Sequence, residues 1–339
     1  MLNDKTLPVN FEDEVTGLIY GFVFEDNQPP RRINSGQIIA EFNRQKNSSG
    51  FLWLHINLNH AAAEKWLKKQ LTIEAFFFEE IRQASHSTRI ESQHGALFAV
   101  LNDANFHRDS AVEETATLWL YCCNGLVITA RHKPLRLIER FIRKLDQLSL
   151  GSPTALLVHL LEEQEDVLEQ IVRQANLYVD EIEERLLKGH VKKNRSRLGS
   201  MRRQLLRFQR LLAPEPAALF RLMNRPPRWL NPDVVADLRQ FAEEFTVVLN
   251  DLVGLTERIR LLQEEISANQ MEQNNRTLYV LTVITVLALP INIIAGFFGM
   301  NVGGIPLAAN PHGFLLLVLI VVIFTLIAGW FALRRNENN

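Results

Sequence analysis

The side chains with chemistry to perform stand inside an apolar stretch. Leu278 to Phe298 reads LYVLTVITVLALPINIIAGFF, and its polar members are Thr282, Thr285 and Asn292. Leu278, Thr285 and Asn292 are seven apart and share one face of a helix. An amide surrounded by hydrocarbon must meet protein or water, which marks Asn292 as a pore or interhelix residue. A helix-to-helix hydrogen bond, or local repair of the backbone beside Pro290, are the structural alternatives. The rest of the chain holds no Gly-rich phosphate loop, HExxH, GxSxG or paired-cysteine motif, so neither an enzyme site nor a resident cofactor is expected. Its nine histidines lack metal-ligand spacing and read as ordinary surface or core residues. His312 is set apart by its place between two apolar stretches.

Those stretches define the class. Between Arg276 and Arg334 there is no Asp, Glu, Lys or Arg. Leu278–Phe298 and Phe314–Leu333 are each long enough to cross a hydrocarbon core of roughly 30 Å at about 1.5 Å per residue. The alternative, a buried hairpin in a soluble domain, needs an apolar partner surface that the remaining sequence does not offer. The linker GMNVGGIPLAANPHG has no Lys or Arg, whereas Arg276 precedes the first stretch and Arg334 and Arg335 follow the second. The positive-inside rule then places both termini in the cytoplasm of a multi-pass membrane protein. The start, MLNDKTLPVN, carries no signal-peptide pattern, and adjacent Cys122 and Cys123 exclude a disulfide framework.

Two helices cannot enclose an aqueous path, so conduction requires oligomerisation. A device for it is legible upstream: Leu238, Phe241, Phe245, Val248, Leu252, Leu255, Ile259, Leu262 and Ile266 alternate steps of three and four, a heptad seam. No Pro falls between Asp233 and Leu289, which predicts one helix on the order of 80–90 Å long running from stalk into membrane. Beyond Ile266 the seam turns polar at Asn269 and Gln273, as a hydrated vestibule or a register-setting device does. Two charged helices precede it. Glu162–Glu184 carries nine acids against Arg173, and Lys188–Arg210 carries nine bases and no acid, with Gly189 marking the turn. These charges can pair across the hairpin, bind anionic lipid head groups, or set the potential near a pore. Nucleic acid is not an expected partner: 37 Lys and Arg balance 38 Asp and Glu, and no stacking aromatics interleave with the basic run.

Residues 1–150 mix strand signals (Gly17–Phe24, Phe51–Ile56, Ala96–Leu101, Thr115–Cys123, Gly125–Ala130) with helix signals (Ala61–Gln70, Ile73–Ile81, Leu135–Leu148). The expected organisation is therefore an α+β/α membrane protein. It has a cytoplasmic α/β domain (1–150), long cytoplasmic helices and stalk (151–275), a first transmembrane helix (276–301), an outer loop (302–313), a second transmembrane helix (314–333) and a cytoplasmic tail (334–339).

Gly299-Met300-Asn301, standing directly after LALPINIIAGFF at the outer end of the penultimate helix, resembles the signature of the CorA family of divalent-cation transporters. The continuation Val302-Gly303-Gly304-Ile305-Pro306-Leu307 looks most like the ZntB zinc-transporter branch. Acidic residues common in the magnesium branch are missing from Gly299 to Gly313. This resemblance implies a funnel-shaped homopentamer in the bacterial inner membrane, moving Zn2+ or other divalent cations through a central pore. It implies Gly299, Met300 and Asn301 as the selectivity signature, with Asn301 holding a hydrated ion through its water shell. It also implies Asn292, Leu289, Thr285, Leu281 and Leu278 as pore-facing positions. The zinc branch further suggests proton-coupled uptake, for which His312, Glu264 and Glu265 are the titratable candidates; magnesium transport and zinc efflux are the alternatives.

Overall fold

A computed structural model describes residues 16–26, 28–45, 50–83, 87–103, 116–123, 125–148, 150–188, 195–300 and 311–336. Two compact units divide the chain, Met1–Gln263 and Glu264–Asn339. The first begins with strands β1 (Leu18–Phe24) and β2 (Arg31–Arg32), helix α1 (Ile38–Gln45), strand β3 (Phe51–Asn57) and helices α2 (Ala63–Gln70) and α3 (Ala75–Gln83). Strands β4 (Arg89–Gln93), β5 (Ala96–Asp103), β6 (Ala116–Cys123) and β7 (Leu126–Arg131) follow, then helix α4 (Arg136–Lys144).

The seven strands form one sheet in the order β2-β1-β3-β7-β6-β5-β4. Every neighbouring pair is antiparallel except β3 with β7, which are parallel. Both faces are covered. Leu52, Leu54, Ile56, Phe98, Tyr121 and Ile128 pack with Ile38, Leu67, Phe77 and Phe78 of the first three helices. Trp53, on the other face, stacks edge-on against Phe141 of α4 at 5.4 Å and donates to Thr129 Oγ1 at 2.9 Å. Burial on both faces explains why these strands read as continuous apolar runs rather than alternating ones. Between β4 and β5 the chain reverses in two residues, His94 and Gly95, at φ 50° and 82°. That is the positive-φ pair a tight hairpin turn requires, and glycine adopts it without a Cβ clash.

His55 lies within the sheet, its Nδ1 2.9 Å from Thr129 Oγ1 and its Nε2 accepting from Arg131 Nε at 3.3 Å. Burial first, and the Arg131 charge second, push it down to about 3, so it stays neutral. This is an ordinary core histidine, in keeping with its sequence reading.

Long helices complete the unit: α5 (Pro153–Leu187), α6 (Arg195–Leu212), α7 (Pro214–Asn224) and the start of α8 (Pro232–Phe298). Ser152 caps α5 by accepting from Ala155 N at 3.1 Å, with Pro153 at the first helical position. Asn231 does the same for α8, accepting from Asp233 N at 3.1 Å. The turn assigned to Gly189 lies outside the described residues. Two groups of acids on α5 pair with elements other than α6. Glu163 takes Arg140 Nε at 3.1 Å and the Lys144 ammonium from α4, while Arg258 of α8 reaches Asp180 at 2.6 Å and Glu183 at 2.8 Å.

The heptad seam carries a correction. Leu238, Phe245, Leu252 and Ile259 are each 0% exposed within the single chain, and Phe241, Leu255, Leu262 and Ile266 are buried as well. A three-four repeat records only that one helical stripe is covered, and here the chain's own helices cover it. The seam is therefore unavailable for joining one copy to another. Leu252→Ala is expected to cost about 2–5 kcal/mol by opening a cavity in this packing. Chemical unfolding at two protein concentrations checks it: the midpoint falls by the same amount at both.

Candidate functional site

The predicted pore-facing residues Leu278, Leu281, Thr285, Leu289 and Asn292, with Glu264 and Glu265, lie on α8, and continuity of that helix is what relates them. It runs unbroken from Pro232 to Phe298, with Pro290 inside it. Proline has no N–H, so the carbonyl of Val286 loses its intrahelical donor, yet the helix continues for two further turns. A window of this helix has mean hydropathy 2.3 and is 0% buried. A core helix of a soluble protein with that composition is buried. The second apolar stretch is also helical, α9 (Gly313–Asn336), and the residues before its first turn include exposed His312, whose carbonyl accepts from Leu316 N at 3.1 Å.

At about 100° per residue, Leu278, Leu281, Thr285, Leu289 and Asn292 fall within an arc of about 80°. All five are exposed. Val283, Leu287, Ile291 and Ile294 are half-buried and centre on the opposite side of the helix. In α9 the half-buried residues Leu317, Val321 and Thr325 recur every four positions and likewise form one narrow stripe. Each apolar helix thus spends one face on packing, and in α8 the polar face is the other one.

The threonines prepare that face chemically. Thr282 Oγ1 donates to Leu278 O at 2.8 Å and Thr285 Oγ1 to Leu281 O at 2.9 Å. With its proton committed to the carbonyl four residues back, each hydroxyl oxygen presents lone pairs outward. Neutral oxygens of this kind are acceptors for water or for a hydrated cation and do not compete as strong anionic ligands.

Of the titratable candidates, the helix separates two that adjoin in sequence. Glu264, Met271, Leu278, Thr285 and Asn292 are successive sevens, so Glu264 continues the exposed stripe while Glu265 turns about 100° away from it. Met271, 70% exposed and in the same register, belongs with them, although it was not singled out from the sequence. Its signal was the same spacing of seven, carried two turns below the apolar stretch.

Gly299 and Met300 follow the last helical turn. Gly299 N donates to Ala295 O at 2.9 Å, and a Cβ added there meets that same oxygen at 3.0 Å. Close backbone approach therefore favours glycine at this end. Met300 is exposed. Asn301 and the loop through Asn310 lie outside the described residues. Among the described residues no group of three or more His, Cys, Asp or Glu is placed to hold a metal ion.

The face assignment is open to test by accessibility. Cysteines replacing Leu281, Thr285 or Leu289, with Cys122 and Cys123 changed to Ser, are expected to react with a membrane-impermeant thiol reagent at least about 10-fold faster than cysteines replacing Val283 or Leu287, since thiolate formation needs water. Equal rates on both faces remove the assignment.

Comparison with known proteins meets this geometry. The chain is 24% identical over 288 residues to the zinc transport protein ZntB of Yersinia pestis, covering 84% of this chain and 87% of the relative. It is 28% identical over 311 residues to the divalent cation transporter CmaX of Pseudomonas aeruginosa, covering 90% and 92%. The solved full-length CmaX protein superposes with a TM-score of 0.76 at 26% identity, over 94% of this chain and 97% of that one. The family described as CorA-like Mg2+ transporter protein matches residues 48–335, and the chain belongs to it.

Proposed function

We propose that the protein carries divalent cations across a membrane through a pore lined by the exposed stripe of α8. The observation that carries this reading is the division of the apolar end of α8. Its half-buried face is wholly apolar at Val283, Leu287, Ile291 and Ile294, while Thr285 and Asn292 stand on the uncovered side. In lipid an uncovered carboxamide is costly, so that side must meet water or another protein surface. A ring of identical chains provides both, each contributing one stripe to a central path.

The ring is a homopentamer of funnel shape in the bacterial inner membrane, with α8 inside, α9 outside and both termini in the cytoplasm. Arg276, Arg334 and Arg335 flank the apolar stretches on that side. Asn301, next in sequence after Gly299 and Met300, presents amide oxygens at the outer mouth and holds the ion through its water shell. Rings of Leu278, Leu281 and Leu289 narrow the path and gate it by dewetting. Glu264 supplies negative charge on the same stripe near the inner end.

Zinc uptake is the preferred cargo and direction. It rests on the likeness to ZntB and on a segment from Gly299 to Gly313 free of acids. Zinc ordinarily takes nitrogen, sulfur or carboxylate ligands, so amides and hydroxyls offer it a weak, hydrated passage rather than a binding site. A magnesium or broad divalent channel is the second reading, favoured by the family's description and by the likeness to a protein named as a divalent cation transporter. Coupling to protons, if the zinc reading holds, falls to His312 and Glu264.

Asn301→Ala is expected to lower flux at least about 100-fold, the scale of one decisive charge-stabilising contact, while the oligomer still assembles. Uptake of zinc and of magnesium into proteoliposomes at two external pH values checks both cargo and coupling. Zinc flux that rises with an inward proton gradient supports coupled uptake, magnesium flux indifferent to pH supports the channel reading, and flux unchanged by Asn301→Ala removes the filter.

A further inference from the structure

Helix α7 opens with Pro214, and Glu215 in its first turn is 0% exposed. Its neighbour is Gln164 of α5, also buried. Gln164 Nε2 donates to the backbone carbonyl of Asn102 at 3.0 Å and to Glu215 Oε2 at 3.0 Å. A backbone carbonyl only accepts, so the nitrogen of Gln164 must face it, and the orientation of the amide is settled by that bond. Both hydrogens of the amide are then committed. What remains is a pair of buried acceptors without a partner, Gln164 Oε1 and Glu215 Oε1. The two groups are already joined at one corner, and among the described residues neither remaining oxygen has a donor. An ionised carboxylate leaves both oxygens bare at the full desolvation cost, whereas a single proton satisfies both.

We infer that Glu215 is a proton-binding site, held as the neutral acid that donates to Gln164 Oε1 while accepting from Gln164 Nε2, and that this two-point pair fastens α7 to α5. The fastening extends into the sheet. Asn102 of β5 donates through Nδ2 to Thr88 Oγ1 at 3.0 Å and accepts from Thr117 Oγ1 of β6 at 3.0 Å. Thr88 Oγ1 in turn donates to Leu211 O of α6 at 2.7 Å. Three helices and two strands meet on one hydrogen-bonded chain whose last link is the proton.

Several charged groups on the surrounding elements are engaged elsewhere. On α5, Glu163 pairs with Arg140 and Lys144, and Glu165 is set among Glu244, Asp166, Glu169 and Glu162. On β5, Asp103 accepts from Leu137 N of α4, and on β4, Arg89 is held by Glu80 and Glu91. On α6, Arg210 donates to Leu206 O, and on α7 the base of the last turn is Arg221. Glu215 itself is pushed up from 4.5 to about 8 by burial, with the Gln164 hydrogen bond opposing. The folded chain therefore keeps a proton that an opened chain releases between these two values. Stability of the fastening is full below about 4.5, declines as pH rises, and has lost the acid's contribution above about 8.

Hydrogen–deuterium exchange of the full chain in detergent micelles, corrected for intrinsic base catalysis, reads this directly. Opening of α7 is expected to increase about 15-fold between about pH 6.5 and about pH 8, nearly one proton per opening at the lower pH and about half of one where the folded acid is itself half ionised. Glu215→Gln, whose amide can donate to Gln164 Oε1 and accept from Gln164 Nε2, is expected to keep α7 protected and to flatten the dependence. Infrared spectra of wild-type protein labelled with carbon-13 glutamate serve if that variant fails to fold. A glutamic-acid C=O band that exchanges slowly in heavy water, is present at about pH 7 and is gone well above about pH 8, is the expected result. Opening indifferent to pH, the same dependence in Glu215→Gln, or no slowly exchanging acid band each overturns the proposal.

Discussion

A polar atom in apolar surroundings must find a partner, and the structure is arranged around the places where it does so by different means. Inside the α/β unit the answer is a shared network, in which Thr88, Asn102, Thr117 and Gln164 bond to one another and to the backbone. Along the apolar end of α8 the answer is local, each threonine hydroxyl returning to the carbonyl one turn back. Asn292 has too many donors and acceptors for that device, and the carbonyl of Val286 has lost its donor to Pro290. These groups demand something on the uncovered side of the helix. In the proposed ring of copies, held water would meet the demand without placing a charge in the span.

Continuity of α8 turns this local demand into a long-range one. Because no break intervenes from Glu264 to Phe298, the facing of each residue in that part of α8 is set by its position alone, drifting about 20° per heptad. The seam from Leu238 to Ile266 is buried by the chain's own helices. Within the second unit, the stripe through Glu264, Met271, Leu278, Thr285 and Asn292 is exposed. Arg258, bound to both Asp180 and Glu183, anchors the start of α8 to α5 within the first unit.

Much of this was legible in the residues, and the failures have physical causes. β1, β3, β5, β6 and β7 were readable because burial on both faces makes them unbroken apolar runs. β4, RIESQ, was not, since as an edge strand it pairs with β5 alone and three of its five side chains are exposed. β2 is two arginines on the opposite edge, recruited by β1 rather than by any propensity of their own. α1, IIAEFNRQ, is too short for periodicity to announce it. The heptad misled for a more general reason: spacing tells that a stripe is covered and is silent about whose atoms cover it. Glu215 and Gln164 gave no signal at all, because a buried acid–amide contact between residues 51 apart leaves no mark in local pattern.

The proposed passage depends on how weakly a neutral wall holds its cargo. A carboxylate ring in the span would bind a divalent ion strongly and release it slowly, and conduction needs occupancy that is favourable without being deep. Amide and hydroxyl oxygens replace part of the hydration shell, or bond to it, and leave the ion's charge largely in the keeping of its own water. Within the span, discrimination between zinc and magnesium then gains nothing from ligand softness, because Thr285 and Asn292 offer oxygen donors only. It must come from how readily each ion's water shell deforms in the narrow rings of leucine. Magnesium holds its water more stubbornly than zinc, so widening a leucine ring favours magnesium, and Leu289→Ala is the substitution that reads the balance.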